Sequence, residues 1–158
     1  MPNKNFLQKN PKVLNKVKSN ILFSLILKKF INHLMKDGKK AKAEEILRRI
    51  LLKISLKGYS PQKIFVLAIN NVKPLIEIRN VRVRGKSFQV PFPLQISRQL
   101  GLAIKTILKN SAGKKKIENS LVDELIDSSL NKSLSVKTTI NTHKLASRNR
   151  LFVHYRWF

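Results

Sequence analysis

The sequence predicts a mainly α fold: six helices around one core, with a two-stranded β-hairpin protruding between the third and the fourth. Three observations carry this expectation. Apolar residues recur at helical spacing in successive stretches on both sides of residues 73–93. Residues 73–93, KPLIEIRNVRVRGKSFQVPFP, break that period: residues 75–83 are rich in β-branched side chains, and residues 87–92 return antiparallel after a turn containing Gly85. At 158 residues, 42% of them hydrophobic, the chain is long enough for one domain with a real core.

Residues 1–20 carry Lys4, Lys9, Lys12, Lys16 and Lys18 among five asparagines and two prolines. This stretch is too polar to bury and too broken for a stable helix, so it is expected to be a basic, flexible arm that orders on a partner. Residues 21–158 form the single helical domain. The first helix is expected from Ile21, or from Ser24 as N-cap, to the Asp37-Gly38 pair, where glycine supplies a left-handed C-terminal residue. Leu27, Phe30, Ile31 and Leu34 make its core face, and Lys29 and Lys36 share another. The second helix spans about residues 39–56, with Ala43, Ile46, Leu47, Ile50, Leu51 and Ile54 at helical spacing. Gly38-Lys39-Lys40 is no phosphate loop, because the upstream glycine and the Ser or Thr after lysine are missing. Two lysines at a helix start still suit a phosphate.

Gly58 ends the second helix, and Ser60-Pro61 opens the third as N-cap and first-turn proline. Its apolar face is Ile64, Phe65, Leu67, Ala68 and Val72, and Pro74 keeps the helix out of the ribbon. After the ribbon, Pro91 and Pro93 stiffen the exit, and Ser97 is expected to cap a fourth helix through Lys109. Leu100, Ile104, Ile107 and Leu108 point inward there, while Arg98, Lys105 and Lys109 share the opposite face. Residues 111–116 form a loop holding Lys114, Lys115 and Lys116. The fifth helix, about residues 117–130, sets Glu118, Asp123, Glu124 and Asp127 against Leu121, Leu125 and Ile126. Its acids suit solvent or a basic protein rather than nucleic acid, so replacing Asp123 and Glu124 is expected to change RNA affinity barely. The last helix is expected from Ser135 into Tyr155, with Lys137, Asn141, Lys144 and Arg148 on one stripe. It closes on Phe152, Tyr155, Trp157 and Phe158, interleaved with Arg150, His154 and Arg156. Rings of that size dock on the core, stack on bases or contact another protein, and docking is favoured because large rings are mostly buried.

Charge narrows the function. Against 33 Lys plus Arg stand 8 Asp plus Glu, a net charge of +25 and a pI near 10.9. Self-repulsion at that charge opposes compaction, which points to a polyanionic partner. No acid precedes Asp37, none lies between Glu77 and Glu118, and none follows Asp127. The acid-free blocks define three basic surfaces: the N-terminal arm, the hairpin with the helix after it, and the last helix. In the hairpin, Arg79, Arg82, Arg84 and Lys86 are offset only by Glu77, near the base. Burying unpaired guanidinium groups costs several kcal/mol each, so the tip, with Arg82, Arg84, Gly85 and Lys86, faces water or an anion. Arg84 argues for a loop wider than two residues, since a tight turn needs a positive φ there. Charged edges also protect ribbons from aggregation, but the composition favours a basic finger that enters a nucleic-acid groove.

Other classes are excluded or outweighed. A membrane partner lacks support: the run ILFSLIL at residues 21–27 is seven residues where a span needs about twenty. Two lysines follow that run with no small-residue cleavage site, unlike a secretory signal. There is no cysteine, and His33, His143 and His154 lack metal-ligand spacing, so no metal or cofactor is implied. An enzyme needs clustered carboxylates or histidines, and these acids sit mostly on one helix. A DNA-packaging protein shares the charge and the ribbon.

Three stretches then carry a resemblance: FINHLMKDGKKAKAE at residues 30–44, PLIEIRNVRVRGKSFQVP at 74–91 and THKLASRNRLFVHYRW at 142–157. Together they resemble, in order and spacing, the family of the seventh protein of the small ribosomal subunit. The resemblance covers about residues 24–157. It implies six helices with the ribbon between the third and fourth, and binding to the 3′ major domain of small-subunit ribosomal RNA. It also implies a role in head assembly, a ribbon near the exit-site tRNA and the mRNA path, and neighbours among the head and platform proteins.

By position, the family's basic residue after the helix-breaking glycine matches Lys39 and Lys40. Its ribbon arginines match Arg79 and Arg82, and its basic residue opening the fourth helix matches Arg98. The chain departs from the pattern in its Asn3-Lys4-Asn5 start, in Arg84 where the tip has glycine, and in Thr138-Thr139 where a basic pair is common. The residues expected to meet ribosomal RNA are Lys4, Lys9, Lys12, Lys29, Lys36, Lys39, Lys40, Arg79, Arg82, Arg98, Lys105, Lys109, Lys114 to Lys116, Lys137, Lys144 and Arg148. The excess of 24 lysines over 9 arginines, with abundant asparagine and isoleucine, fits an AT-rich genome. With no arginine-rich import sequence at the start, a product of a mitochondrion is expected, with a plastid or an AT-rich bacterium as the alternatives.

Overall fold

A computed structural model describes residues 11–112 and 116–156, with side chains described from Phe23 onward. The helices are α1 (Pro11–Leu34), α2 (Lys40–Leu56), α3 (Pro61–Val72), α4 (Ile96–Ser111), α5 (Ile117–Ser129) and α6 (Leu134–Arg148). Strands β1 (Ile76–Val83) and β2 (Lys86–Pro93) lie between α3 and α4, and a 3₁₀ helix (Arg150–Tyr155) closes the described chain. The mainly α architecture with its hairpin between the third and fourth helices is therefore the one expected.

The core follows from the helical periods. Phe30, Ile50, Ile54, Phe65, Ile69, Ile104, Ile107, Leu121 and Leu125 are fully buried, and the rings of Phe30 and Phe65 meet edge to face at 5.0 Å. Burying each such side chain contributes about 1.5–3 kcal/mol. On α3 the buried face is Ile64, Phe65, Ala68, Ile69 and Val72, while Leu67, expected inside, is half exposed. The 3.6-residue period centres the face on Phe65, Ile69 and Val72, which leaves position 67 on the far side. On α1, Ile26 joins Phe30 in the core, and Leu27, Ile31 and Leu34 pack at its margin.

Several boundaries differ from expectation, each for a physical reason. Helix α1 starts at Pro11 rather than at residues 21–24, so half of the expected arm is helical and Ser24 is interior. Proline at the first turn loses no hydrogen bond, and Val13, Val17 and Ile21 recur every fourth residue, a helical period that outweighs the scattered asparagines. Helix α4 begins at Ile96 with Gln95 as its N-cap, not at Ser97. There the ladder runs one bond past β2, Leu94 N–H donating to Leu75 O, and the buried Gln99 donates to Leu94 O, which fixes the corner early. Helix α6 is capped by Ser133, whose Oγ accepts from Val136 N. It ends at Arg148 instead of running into Tyr155. A 3₁₀ helix repeats every three residues, which sets Phe152 and Tyr155 on one side, where both rings reach Phe88 of β2 at 5.2 and 5.0 Å. An α-helical continuation would splay them, so docking of these aromatics on the ribbon selects the tighter winding.

The ribbon pairs Ile76 with Pro93 through to Val83 with Lys86, which leaves only Arg84 and Gly85 in the turn. Both have positive φ, +48° and +80°, the signature of a tight hairpin turn whose twist matches the strands. The wider loop expected from Arg84 is thus overturned. A non-glycine residue in the left-handed region costs about 1–2 kcal/mol, and the two-residue register of an eight-pair ladder outweighs it. Asp37 and Gly38, between α1 and α2, share the left-handed conformation expected of Gly38 alone.

Of the acids of helix α5, Asp123 and Asp127 are exposed as expected, whereas Glu118 is half-buried and Glu124 is buried. Glu118 binds Lys53 at 2.6 Å and Arg49 at 3.2 Å, Asp123 binds Lys57 at 2.7 Å, and Glu124 is buried. Glu118 and Asp123 therefore neutralise the outer face of α2. Among the described residues, no helix is long and apolar enough to cross a membrane.

Candidate nucleic-acid interface

The base of the ribbon is built from four locks. The Arg98 guanidinium donates through Nε and Nη2 to the two carboxylate oxygens of Glu77, at 2.7 and 2.8 Å. Thr139 Oγ1 donates to Val72 O at 2.8 Å, and Leu75 N–H donates to His143 Nε2 at 3.1 Å, so α6 holds both the last residue of α3 and the chain entering β1. The fourth lock is at the far strand, where Arg156 Nε donates to Pro91 O at 2.6 Å. Arg79 and Arg156 both sit over the Phe92 ring, 5.1 and 5.8 Å from its centroid, within cation–π range. The strands are fastened at their base, while Arg82, Arg84, Gly85, Lys86 and Ser87 at the tip are exposed.

Between the ribbon base, α4 and α6 lies a groove of about 520 Å³. Ile76, Ile78, Leu102 and Leu145 give it an apolar floor, and Thr106, Lys109, Asn110, Asn141 and Thr142 bring hydroxyl, amide and ammonium groups to its walls. Asn141 belongs to the α6 stripe of Lys137, Lys144 and Arg148, all exposed, so that stripe runs along one edge of the groove. Lys105 and Lys109 are exposed on α4 at the other. The threonines and asparagines carry no charge and escape a search for basic residues. Only Asn141, four residues after Lys137 and three before Lys144, shares the spacing of the α6 stripe; the others come together only where α4 and α6 meet.

The remaining expected residues divide by what they touch. Lys39 pairs with Asp37 at 3.5 Å and Lys40 with Glu44 at 3.7 Å, both in the open, where such pairs are worth little and yield readily to a phosphate. Lys36 and Lys116 are exposed. Lys29 is half-buried, with its Nζ donating to Ser97 O in the first turn of α4, so it joins α1 to α4. Arg98, spent on Glu77, braces the ribbon. Lys4, Lys9, Lys114, Lys115, Trp157 and Phe158 lie outside the described residues, and Lys12 is described only as backbone of α1.

The distribution of acids is what polarises the surface. Of the eight carboxylates in the chain, Asp37, Glu44, Glu45, Glu77, Glu118 and Asp123 are in ion pairs and Glu124 is hydrogen-bonded internally. The ribbon tip, the outer face of α4 and the α6 stripe are left with cations alone.

The Arg98 hydrogen bonds hold the Glu77 carboxyl below its ordinary range, against a smaller opposing effect of burial. Because this pKa is lowered by folding, its contribution to stability is present above the ordinary carboxylate range. It is lost as pH falls through the lowered value. Glu77→Gln should therefore melt below the wild type at neutral pH, and the two midpoints should converge on acidification. Parallel curves across that range would remove Glu77 from the ribbon's fastening.

The chain is similar to known proteins over most of its length. Residues 2–150 match the family described as ribosomal protein S7p/S5e. Small ribosomal subunit protein uS7 of Bordetella petrii is 40% identical over 137 residues, covering 85% of this chain and 88% of the relative. That of Paramagnetospirillum magneticum is 41% identical over 137 residues, 84% and 86% of the two chains. The protein of the same name from Phytoplasma australiense is 37% identical, with 85% and 88% covered.

Proposed function

The chain belongs to the S7p/S5e family of small-subunit ribosomal proteins, a family of structural proteins and not of enzymes, and from that premise we propose that it anchors the 3′ major domain of small-subunit ribosomal RNA. In this reading it organises assembly of the subunit head and holds its ribbon near the exit-site tRNA and the mRNA path. Other head and platform proteins are its neighbours. The observation that supports this most is the segregation of charge: Glu118 and Asp123 neutralise α2, Glu77 in the groove is taken up by Arg98, and the cations flanking the groove and at the ribbon tip have no ion pair among the described residues.

The anchoring surface is the groove with Lys105, Lys109, Lys137, Lys144 and Arg148, supplemented by Lys36, Lys39 and Lys40 at the turn into α2. Phosphate contacts there fix register without reading sequence, and the uncharged Thr106, Asn110, Asn141 and Thr142 suit sugar hydroxyls and base edges. The tip acts separately. It lies beyond the locks at the ribbon base, and Arg82, Arg84 and Lys86 reach a second strand of RNA. Removing residues 83–87 should leave the yield of assembled small subunits unchanged but alter exit-site tRNA retention or reading-frame maintenance. Subunit yield and tRNA occupancy compared in the deletion strain decide this: loss of both in proportion would make the tip an assembly element.

The compartment is proposed from composition. The lysine, asparagine and isoleucine bias of an AT-rich genome supports a mitochondrial ribosome over the alternatives of a plastid or an AT-rich bacterium, although its relatives named above are bacterial. Labelling of new protein with cytosolic translation blocked should mark this chain and carry it into sedimenting small subunits. Labelling only when cytosolic ribosomes run would refute synthesis inside the organelle.

A further inference from the structure

A second, smaller cavity of about 370 Å³ lies on the other side of α6 from the main groove's polar wall, between α6, the base of the ribbon and the 3₁₀ helix. Its walls carry His143 and Ser147 of α6, Arg150 of the 3₁₀ helix and Arg156 just after it, against Ile76, Pro91 and Val153. We infer that this cavity is a binding site for one nucleotide of RNA, with its phosphate held by Arg150, Arg156 and Ser147 and its sugar or base resting on Pro91 and Val153. The inference rests on the RNA-binding reading and adds a site that none of the lysine-rich stripes contains.

The chemistry is specific to an anion. No carboxylate lines the cavity, and Arg150 has no ion pair among the described residues. Arg156 is held in place by its Nε bond to Pro91 O, which leaves the outer guanidinium nitrogens as donors in a fixed plane. His143 Nε2 accepts from Leu75 N–H, so the ring proton sits on Nδ1 as a further donor. The apolar wall and the volume exceed what a bare phosphate fills, and they match a nucleotide better than a row of acidic side chains. An occupied site would tie the 3₁₀ helix, α6 and β2 together through one ligand.

Two measurements on the full chain test it. The first is the salt dependence of binding to a transcript of the 3′ major domain, for wild type, Arg150→Gln and, as a control on α3, Lys63→Gln. Loss of one phosphate contact should weaken binding about two- to tenfold and lower the log–log salt slope by about one in Arg150→Gln, and leave Lys63→Gln unchanged. The second is NMR titration with the dinucleotide UpU, inorganic phosphate and tetraglutamate, where UpU should shift His143 and Ser147 at lower concentration than the other two. Unchanged affinity and slope in Arg150→Gln while the wild type binds the transcript would overturn the site, as would a response to tetraglutamate and none to UpU. If the wild type fails to bind the transcript, the general reading falls, and the UpU titration still decides the cavity.

Discussion

Raising salt from about 50 to about 200 mM should lower the affinity of this protein for the ribosomal RNA head domain by about a thousandfold or more. The expectation comes from counting sites. Lys109 lines the groove, Lys105 lies one turn before it on α4, Lys137, Lys144 and Arg148 share the α6 stripe of the lining residue Asn141, and Lys36, Lys39 and Lys40 stand at the turn into α2, all of these cations exposed. With about six to eight of these on phosphates, each releasing condensed counterions, the loss follows. Filter binding or fluorescence anisotropy at several salt concentrations gives the slope directly. Replacing Lys39 and Lys40 together should reduce that slope without moving the melting midpoint, because their side-chain partners among the described residues are the open pairs to Asp37 and Glu44. Arg98→Ala should behave differently, lowering both affinity and the order of the ribbon, since its guanidinium is engaged by Glu77. An affinity indifferent to salt would refute phosphate anchoring altogether.

How much of this was legible in the sequence depends on whether a feature is local. The hairpin, the positions of five helices and most of the core follow from period and punctuation: Gly58, Pro61 and Pro74 end or start elements where they stand. Tertiary partners decide the rest. Arg84 reads locally as a misfit in a tight turn, yet ladder pairing from Ile76 to Val83 imposes the positive φ. The residues of 150–155 read locally as more helix, and only the presence of Phe88 on β2 explains the 3₁₀ winding. The basic stripes were visible as charge, but the groove between them needs Thr106, Asn110 and Thr142, whose role appears only when α4 and α6 are adjacent. Arg98 reads locally as one more cation of α4, and its pairing with Glu77, 21 residues away, appears only in the fold.

Glu124 is the sharpest case, and its replacement should have the largest effect on stability. A helix with four acids reads as a solvated face, and Asp123 fits that description: its side chain is open and its pair with Lys57 is a surface pair. Glu124, one residue on, is 7% exposed. Its Oε1 accepts from Ser135 N at 3.1 Å and from Ser135 Oγ at 2.6 Å, and so satisfies the first turn of α6 with a negative charge where the helix dipole is positive. Ser128 Oγ and Ser133 Oγ, 2.9 Å apart, complete a buried polar cluster beside it, next to the Ser133 cap. Truncation to alanine leaves a buried N–H and hydroxyl unsatisfied and opens a void, at a cost of about 2–4 kcal/mol. For a domain of this size that is a fall of roughly 5–12 °C in melting midpoint. Because α6 supplies His143 and Thr139 to the ribbon base, the ribbon should lose order with it. Asp123→Ala should move the midpoint by less than about 1 kcal/mol equivalent, and RNA affinity measured well below the melting range should hold in Asp123→Ala. Thermal denaturation of the two single variants separates them: equal, small shifts would show the Glu124 carboxylate to be solvated and the α5–α6 junction to be held by apolar packing alone.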